Sequence, residues 1–442
     1  MNRIAHFNTY PHGGAAVAAL RMSRELNRMG DESTLYWSHA NREVPVSRSV
    51  QELPVAPEEP RTIGRLLAKP FRNMRRRSVQ AAWETQISPR AKSLEVFSQA
   101  EHFNPKRPDW GCIQADLVQL HWIAFMADWP SFFSAIPDRV PIVWTLHDMN
   151  PFSGGCHYSA GCNRFATGCG DCPQLVGGNP LDASRRSMVA KRRALMGKRI
   201  HVVTPSDWLA ALAVQSPVWP DGTTFSVIRY GLPIDTFFPQ DRTLCKKEFG
   251  IGPDETVVGF GAESIESTRK GFGQLLAALK MIELEKDRPK LTVLLMGAFP
   301  QEQALLQLPG VERTVQLGYV DDEKKQSKFY SACDMVIVPS LEDNQPQMAL
   351  EAMACGTPVV AFETGGISEF VRDGITGRLA NVGDSPALAK CILELAQDGE
   401  SRKQLGQRAR MLITRDFELS RQTAKYRELY SQLMSRRSRR AA

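Results

Sequence analysis

Two acidic residues, Asp343 and Glu351, stand eight positions apart within VIVPSLEDNQPQMALEAMACGTPVVAFETGGISEFVRDGITG, residues 336–377. They flank a junction between an apolar, strand-like run and a helix-like one. Carboxylates placed so accept hydrogen bonds from sugar hydroxyls. Read as opening the helix LEAMACG, Glu351 also gains from the helix dipole. The pair Gly365-Gly366 follows, just before ISEF, where a helix start offers backbone N–H groups to a phosphate. A ribose and a phosphate held side by side point to an enzyme that handles nucleotide-linked sugars.

Other groups fit that chemistry. Asn344 and Gln345 adjoin Asp343 and add donors and acceptors, as a sugar ring demands, and Pro346 stiffens their loop. Glu369 reads as a first-turn capping residue. In GAESIESTRKGF, Arg269 and Lys270 sit where the chain enters a helix. Cations there neutralise a diphosphate leaving group as its charge develops; the bland alternative is a solvent-facing pair. Gly13-Gly14 follow the first strand signal and open a helix, which allows close backbone approach and favours an anion. A tight turn that touches no ligand is the alternative there. His121 and His147 follow the strand signals DLVQL and PIVWTL, where an imidazole can donate to a substrate oxygen. A buried, structurally bonded histidine is the competing reading for each. His147-Asp148 reads as a pair in which one residue orients the other.

Four of the nine cysteines, Cys156, Cys162, Cys169 and Cys172, fall within the seventeen residues CHYSAGCNRFATGCGDC. Four thiolates can bind zinc tetrahedrally and staple a loop that has no core of its own. Disulfides and free thiols are the alternatives, and a reducing compartment disfavours the first. Such a zinc site is closed, so its role is structural. Cys112, Cys245, Cys333, Cys355 and Cys391 read as small apolar fillers.

These groups need a scaffold. A chain of 442 residues exceeds one ordinary core, so two domains are expected. The first reads as residues 1–220, the second as 221–415, with 416–442 a helix packing back on the first. Strand signals at 3–8, STLYW, 116–120, 141–146 and 200–203 alternate with helical stripes in the first half. In the second half they recur at 256–261, 291–297, 313–319, 335–340 and 358–362. Short, nearly wholly apolar strands between helices mean buried parallel sheets. Residues 41–108, rich in Pro and Arg, read as helices and loops at the rim of the first domain. Ser206 is placed to cap the helix DWLAALA.

Composition bounds the partners. Apolar content of 43% and charged content of 23% are those of a globular protein, and no run of about 18 apolar residues exists to span a bilayer. No secretory-type segment opens the chain, so a cytoplasmic location is expected. The net charge of +7 is unevenly placed. Residues 61–77, RTIGRLLAKPFRNMRRR, hold seven basic side chains and no acidic one, and the tail RRSRRAA repeats the bias. Such patches suit an anionic surface or are simply a solvated face. Aromatics are not interleaved with them as single-stranded nucleic acid requires, so no nucleic-acid partner is expected.

The segment PSLEDNQPQMALEAMACGTPVVAFETGGISEFVRDGITG, with YPHGGAAVAALRMSREL, VTPSDWL and VIRYGLPIDTF, resembles the retaining GT-B glycosyltransferases of family 4. WTLHDMNPFSGGC and the cysteine loop look like the exopolysaccharide enzymes among them, including those of the colanic acid type. The resemblance spans nearly the whole chain and implies an α/β GT-B fold of two Rossmann-like domains facing each other across a cleft. It implies transfer of a hexose from a UDP- or GDP-sugar to a glycan or a polyprenyl-diphosphate-linked acceptor, with retention and without a catalytic metal. By the same resemblance Glu351 contacts the ribose and Asp343 takes the place of a glutamate that touches the donor sugar. Lys270 matches the phosphate-binding lysine, with Arg269 beside it, and Gly365 and Gly366 match the glycine loop near the donor. Gly14, preceded by Gly13, matches the glycine loop beside the diphosphate, and His121 the histidine near donor sugar and acceptor. Ala262 stands where the family usually has an arginine. A peripheral position at an inner membrane would suit a lipid-linked acceptor. A catalytically silent nucleotide-sugar-binding partner of a polysaccharide assembly complex is the non-enzyme reading.

Overall fold

The computed structural model describes residues 2–39, 47, 49–56, 63–101, 108–126, 128–263, 267–297 and 307–441. Residues 61 and 62 of the basic stretch, the last residue of the tail and part of the 41–108 segment lie outside the described residues. The chain divides into two compact units, Met1–Arg229 with Thr423–Ala442, and Tyr230–Gln422.

The first unit is built on seven parallel strands: β1 Arg3–Phe7, β2 Glu32–Trp37, β3 Val50–Glu52, β4 Leu117–Leu120, β5 Ile142–Thr145, β6 Ile200–Thr204 and β7 Thr224–Val227. Their spatial order is β3-β2-β1-β4-β5-β6-β7. Growth therefore runs one way from β1 through β2 and then the other way from β4, so the order reverses between β1 and β4. The inner strands are wholly or nearly wholly buried, as LVQL and IVWT require. Edge strands need less apolar surface, which is why VQE in β3 carries no strand signal. Large aromatic side chains fill one face of the sheet, Trp129, Phe132, Phe133 and Trp144 among them. The other face is covered in part by the helix Leu419–Ala441, whose Tyr426 and Tyr430 are buried with Ile4, Leu26, Leu117 and Val143. Burying side chains of that size contributes roughly 2–3 kcal/mol each. Their hydroxyls are satisfied: Tyr426 shares a hydrogen with Thr145 Oγ1 at 2.7 Å and Tyr430 donates to Gln119 Oε1 at 2.8 Å. Ser206 caps the helix Asp207–Ala213 by accepting from the Leu209 N–H.

The second unit holds six parallel strands: β8 Thr256–Ala262, β9 Leu291–Gly297, β10 Arg313–Gln316, β11 Met335–Val338, β12 Val359–Phe362 and β13 Gly377–Ala380, in the order β10-β9-β8-β11-β12-β13. Here the reversal lies between β8 and β11. β13, GRLA, is an edge strand with two half-buried residues, and it too carries no apolar signal. In open parallel sheets the loops leaving the strands at such a reversal diverge and leave room for a ligand. Gly13 and His121 follow the pair β1 and β4; Lys270 and Asp343 follow the pair β8 and β11. Among the described residues no helix is long and apolar enough to cross a membrane.

Candidate active site

In the second unit the loops after β8 and β11 are joined through one carboxylate. The Lys270 ammonium donates to Asp343 Oδ2 at 2.8 Å, and Arg269 Nη1 lies 3.1 Å from the same oxygen. Ser340 Oγ donates to it as well, at 3.1 Å. Arg269 also donates to the Glu342 carbonyl, and its own carbonyl accepts from the Leu341 N–H. Burial of Asp343 on its own would raise its pKa; Lys270, then Arg269, more than offset this and hold the carboxyl well below the usual carboxylate range. Two cations and an anion are thus fixed at the reversal of the sheet, with Lys270 partly open to solvent.

Two helix-start expectations are corrected. Glu351 does not open a helix: the helix is Gln347–Ala354, begun by Pro346, and Glu351 lies beyond its first turn. The dipole stabilisation argued for it, confined to the first turn, does not apply. Instead the buried carboxylate accepts from the Tyr330 hydroxyl at 2.7 Å, a partner that sequence reading missed. Nor do Gly365 and Gly366 open a helix, only the single turn Ile367–Glu369. They fold that loop onto Asp343. Gly366 N–H donates to the Asp343 carbonyl at 3.1 Å, and a Cβ at Gly365, whose φ is +54°, would stand 1.8 Å from the same carbonyl oxygen. Only glycine fits there. Gln345 is also committed, its Oε1 accepting from the Tyr230 N–H at 2.7 Å.

In the first unit Gly13, at φ +87°, precedes the helix Gly14–Arg28. A Cβ at Gly14 would meet nothing within 4 Å, so the helix N-terminus is open to an approaching group. His121 does not offer a nitrogen outward. Its Nε2 lies 3.0 Å from His6 Nδ1 and its Nδ1 lies 3.0 Å from His147 Nε2. His6 was legible only as a strand residue. Asp148 accepts from Trp122 Nε1 and from the Asn150 N–H and lies 2.6 Å from His157 Nδ1, while His157 Nε2 meets Ser98 Oγ. Burial alone would raise the Asp148 pKa, but His157 and the donated hydrogen bonds lower it. Ser98, Trp122 and His157 gave no sequence signal, because the contacts join segments far apart in the chain.

The cysteine loop is held differently from the zinc reading. Cys156, Cys162, Cys169 and Cys172 line one cavity of about 20 Å³ together with Phe97 and Phe165. All nine cysteines are free thiols, and among the described residues no three His, Cys, Asp or Glu side chains are arranged to hold a metal ion. Burial pushes the Cys156 and Cys169 thiols up to about 12 and about 11. Polar groups do the stapling. Asn150 Nδ2 donates to Ser98 Oγ and the Gly155 carbonyl, the buried Lys191 ammonium to the Asn150 and Ser153 carbonyls, and Arg185 to the Gly168 carbonyl.

The sequence family described as Glycosyl transferases group 1 matches residues 255–398. The chain is 26% identical over 416 residues to D-inositol 3-phosphate glycosyltransferase of Nocardia farcinica, covering 92% of this chain and 82% of that one. It is 30% identical over 295 residues to the enzyme of that name from a Mycobacterium species, strain KMS, covering 64% and 60%. Among solved structures it is similar to sucrose-phosphate synthase from Thermosynechococcus elongatus, with a TM-score of 0.67 at 19% identity, covering 98% of this chain and 100% of that one. It is similar also to Anabaena HepE in complex with UDP and glucose, at 0.63, 19%, 98% and 100%. The structural likenesses show the fold: two helix-flanked parallel sheets of the GT-B type.

Asp343→Asn leaves Lys270 and Arg269 without their counter-charge and should lower the unfolding free energy by roughly 3 kcal/mol at pH 7. Because the folded carboxyl is held low, its contribution is full above the ordinary carboxylate range, near pH 4, and is lost as pH falls through the depressed value. Denaturant melts of both proteins should therefore show a constant gap from pH 7 to about 4 that narrows below. Equal stability at pH 7 would refute the pairing.

Proposed function

We propose that this chain, a GT-B-fold glycosyltransferase related to the family 4 nucleotide-sugar transferases, moves a hexose from a UDP- or GDP-sugar to a glycan or a polyprenyl-diphosphate-linked acceptor of bacterial polysaccharide assembly, with retention. The observation that carries the reading is the meeting of Lys270 and Arg269 on Asp343 where the second sheet reverses its order.

A departing nucleoside diphosphate gains negative charge as the bond to the sugar breaks. Fixed cations at that point stabilise the transition state without reorganising. Lys270, the more exposed of the two, would take the diphosphate, while Asp343 keeps both cations aligned and accepts from a sugar hydroxyl. Glu351, oriented by Tyr330, would accept from ribose hydroxyls; a carboxylate has lone pairs enough for the tyrosine and the ribose together. Gly365 and Gly366 shape the loop that keeps Asp343 in place. On the first unit, Gly13 and Gly14 open a helix terminus to an anionic or hydroxyl oxygen.

A test is transfer itself. Purified protein is given UDP- and GDP-hexoses in turn with polyprenyl-diphosphate-linked glycans, and products are read by mass spectrometry. One donor series should support transfer, and Lys270→Ala should lower kcat/KM about a hundredfold. A variant as active as the parent would exclude the proposed role of the lysine.

We also propose that the acceptor is met at an anionic membrane surface. The helix Ile63–Ala82 bears Phe71 and Met74, 70% and 65% exposed, beside the exposed Arg76 and Arg77. Arg75 is already tied to Glu101 and Asp128. Apolar tips flanked by arginines suit the headgroup region of a bilayer. Replacing Arg76 and Arg77 by glutamine should weaken sedimentation with anionic vesicles roughly thirtyfold, at about 1 kcal/mol per charge. Equal binding by the variant would exclude this surface.

A further inference from the structure

Trp122 stands two residues beyond the end of β4, at the carboxyl edge where the first sheet reverses its order. Every polar atom it owns is tied down. Its N–H donates to Asn8 Oδ1 at 2.9 Å and its carbonyl accepts from the Thr9 N–H at 2.8 Å, which fixes its backbone to the loop after β1. Its indole Nε1 donates to Asp148 Oδ2 at 2.7 Å, which fixes its side chain to the loop after β5. His157 Nδ1 lies 2.6 Å from the same oxygen, and because a carboxylate only accepts, His157 donates there too. The His157 ring lies against the indole, centroids 5.1 Å apart, and its Nε2 is held by Ser98 Oγ at 3.0 Å. Three loops and a buried histidine thus set one ring plane.

That ring is partly exposed. A tryptophan at the rim of a core needs no ligand. Here, however, the only side-chain donor is spent inward, so what the indole offers outward is its carbon surface. Two more partly exposed rings flank it: Tyr10, centroid 5.7 Å away, and Phe125, 6.1 Å away. Phe125 has φ +63°, a conformation bulky side chains rarely adopt, and its ring has no polar atom to offset the cost. Tyr10 precedes the open helix terminus at Gly14 by four residues. Aromatic carbon beside backbone N–H groups matches a pyranose ring, which has a face of C–H bonds and a rim of hydroxyls.

We propose that Trp122, flanked by Tyr10 and Phe125, is the ring on which a pyranose of the acceptor glycan stacks, and that Asp148 and His157 are positioning residues that fix its plane. A nucleobase also stacks on indole, but the proposed nucleotide contacts, Glu351 and the cations on Asp343, belong to the second unit. That the sugar belongs to an acceptor rests on the transferase reading; that a sugar stacks here does not.

The test is a titration of the purified chain, labelled with nitrogen-15 at tryptophan, with the methyl glycosides of glucose, galactose and mannose, and separately with uridine. The chain has eight tryptophans, and the Trp122 indole signal is the one missing from Trp122→Phe. At least one glycoside should move that signal saturably and uridine should not. No movement with any glycoside, or movement with uridine alone, overturns the proposal. Trp122→Ala should weaken binding of the same glycoside, read by saturation-transfer NMR, about tenfold; unchanged binding overturns it. His157→Ala should weaken it as well, and His157→Asn, whose amide nitrogen stands in for Nδ1, should restore most of the loss. An asparagine variant no better than the alanine one refutes the positioning role. If these variants do not fold, the parent titration decides alone. With a donor and acceptor that support transfer, Trp122→Ala should raise the acceptor KM and leave kcat near the parent's. Failure to find any transfer would refute the proposed reaction while leaving the sugar contact as measured.

Discussion

The Asp343 carboxylate is the contact on which the candidate donor site depends. It sits in the loop after β11 and draws in both cations of the loop after β8, so the two loops that a reversed strand order pulls apart are tied together again. Without that tie, Lys270 and Arg269 would be long side chains on a short turn with many rotamers to lose. With it, their charges are set before a ligand arrives. A buried ion triad contributes little to net stability, because desolvation offsets attraction. Its value here is placement.

The same carbonyl-and-carboxylate residue organises the next loop. Asp343 accepts Gly366 N–H through its main chain, and the absent side chain at Gly365 lets the two backbones meet. Glu351 is oriented separately, by Tyr330 from the preceding helix Glu323–Ala332. The groups proposed to hold a phosphate, a sugar and a ribose are thus supported by different elements of one unit. A substitution at one support should loosen its own contact first. In the first unit, His6, His121 and His147 likewise meet ring to ring.

Apolar runs made most of the architecture legible. LTVLLMG and MVIVPS declare themselves as buried parallel strands because both faces of such strands are covered. VQE and GRLA did not, since edge strands bury less. The acidic and basic site residues were readable from their types and from where strands end. Their environments were not. Glu351 reads as a helix opener until Pro346, five residues before it, is seen to begin the helix Gln347–Ala354. Gly366 reads as a phosphate donor until its N–H is found on Asp343. Cysteine spacing suggested zinc, whereas among the described residues no side chains are arranged to hold a metal ion, and Asn150, Lys191 and Arg185 hold the loop. The reversal points of the sheets and the His6–His121–His147 row depend on strand order and register, which local patterns do not encode.

The central claim is that the second unit holds a nucleotide-sugar through Glu351 and the cations on Asp343. Titration calorimetry of the purified chain with UDP-, GDP- and ADP-sugars, without added metal, addresses it most directly. The account predicts saturable binding within one nucleotide series, weakened at least about tenfold in Glu351→Ala, as expected for loss of a charged hydrogen bond. Absence of binding to all three series, or equal affinity in the variant, would contradict it.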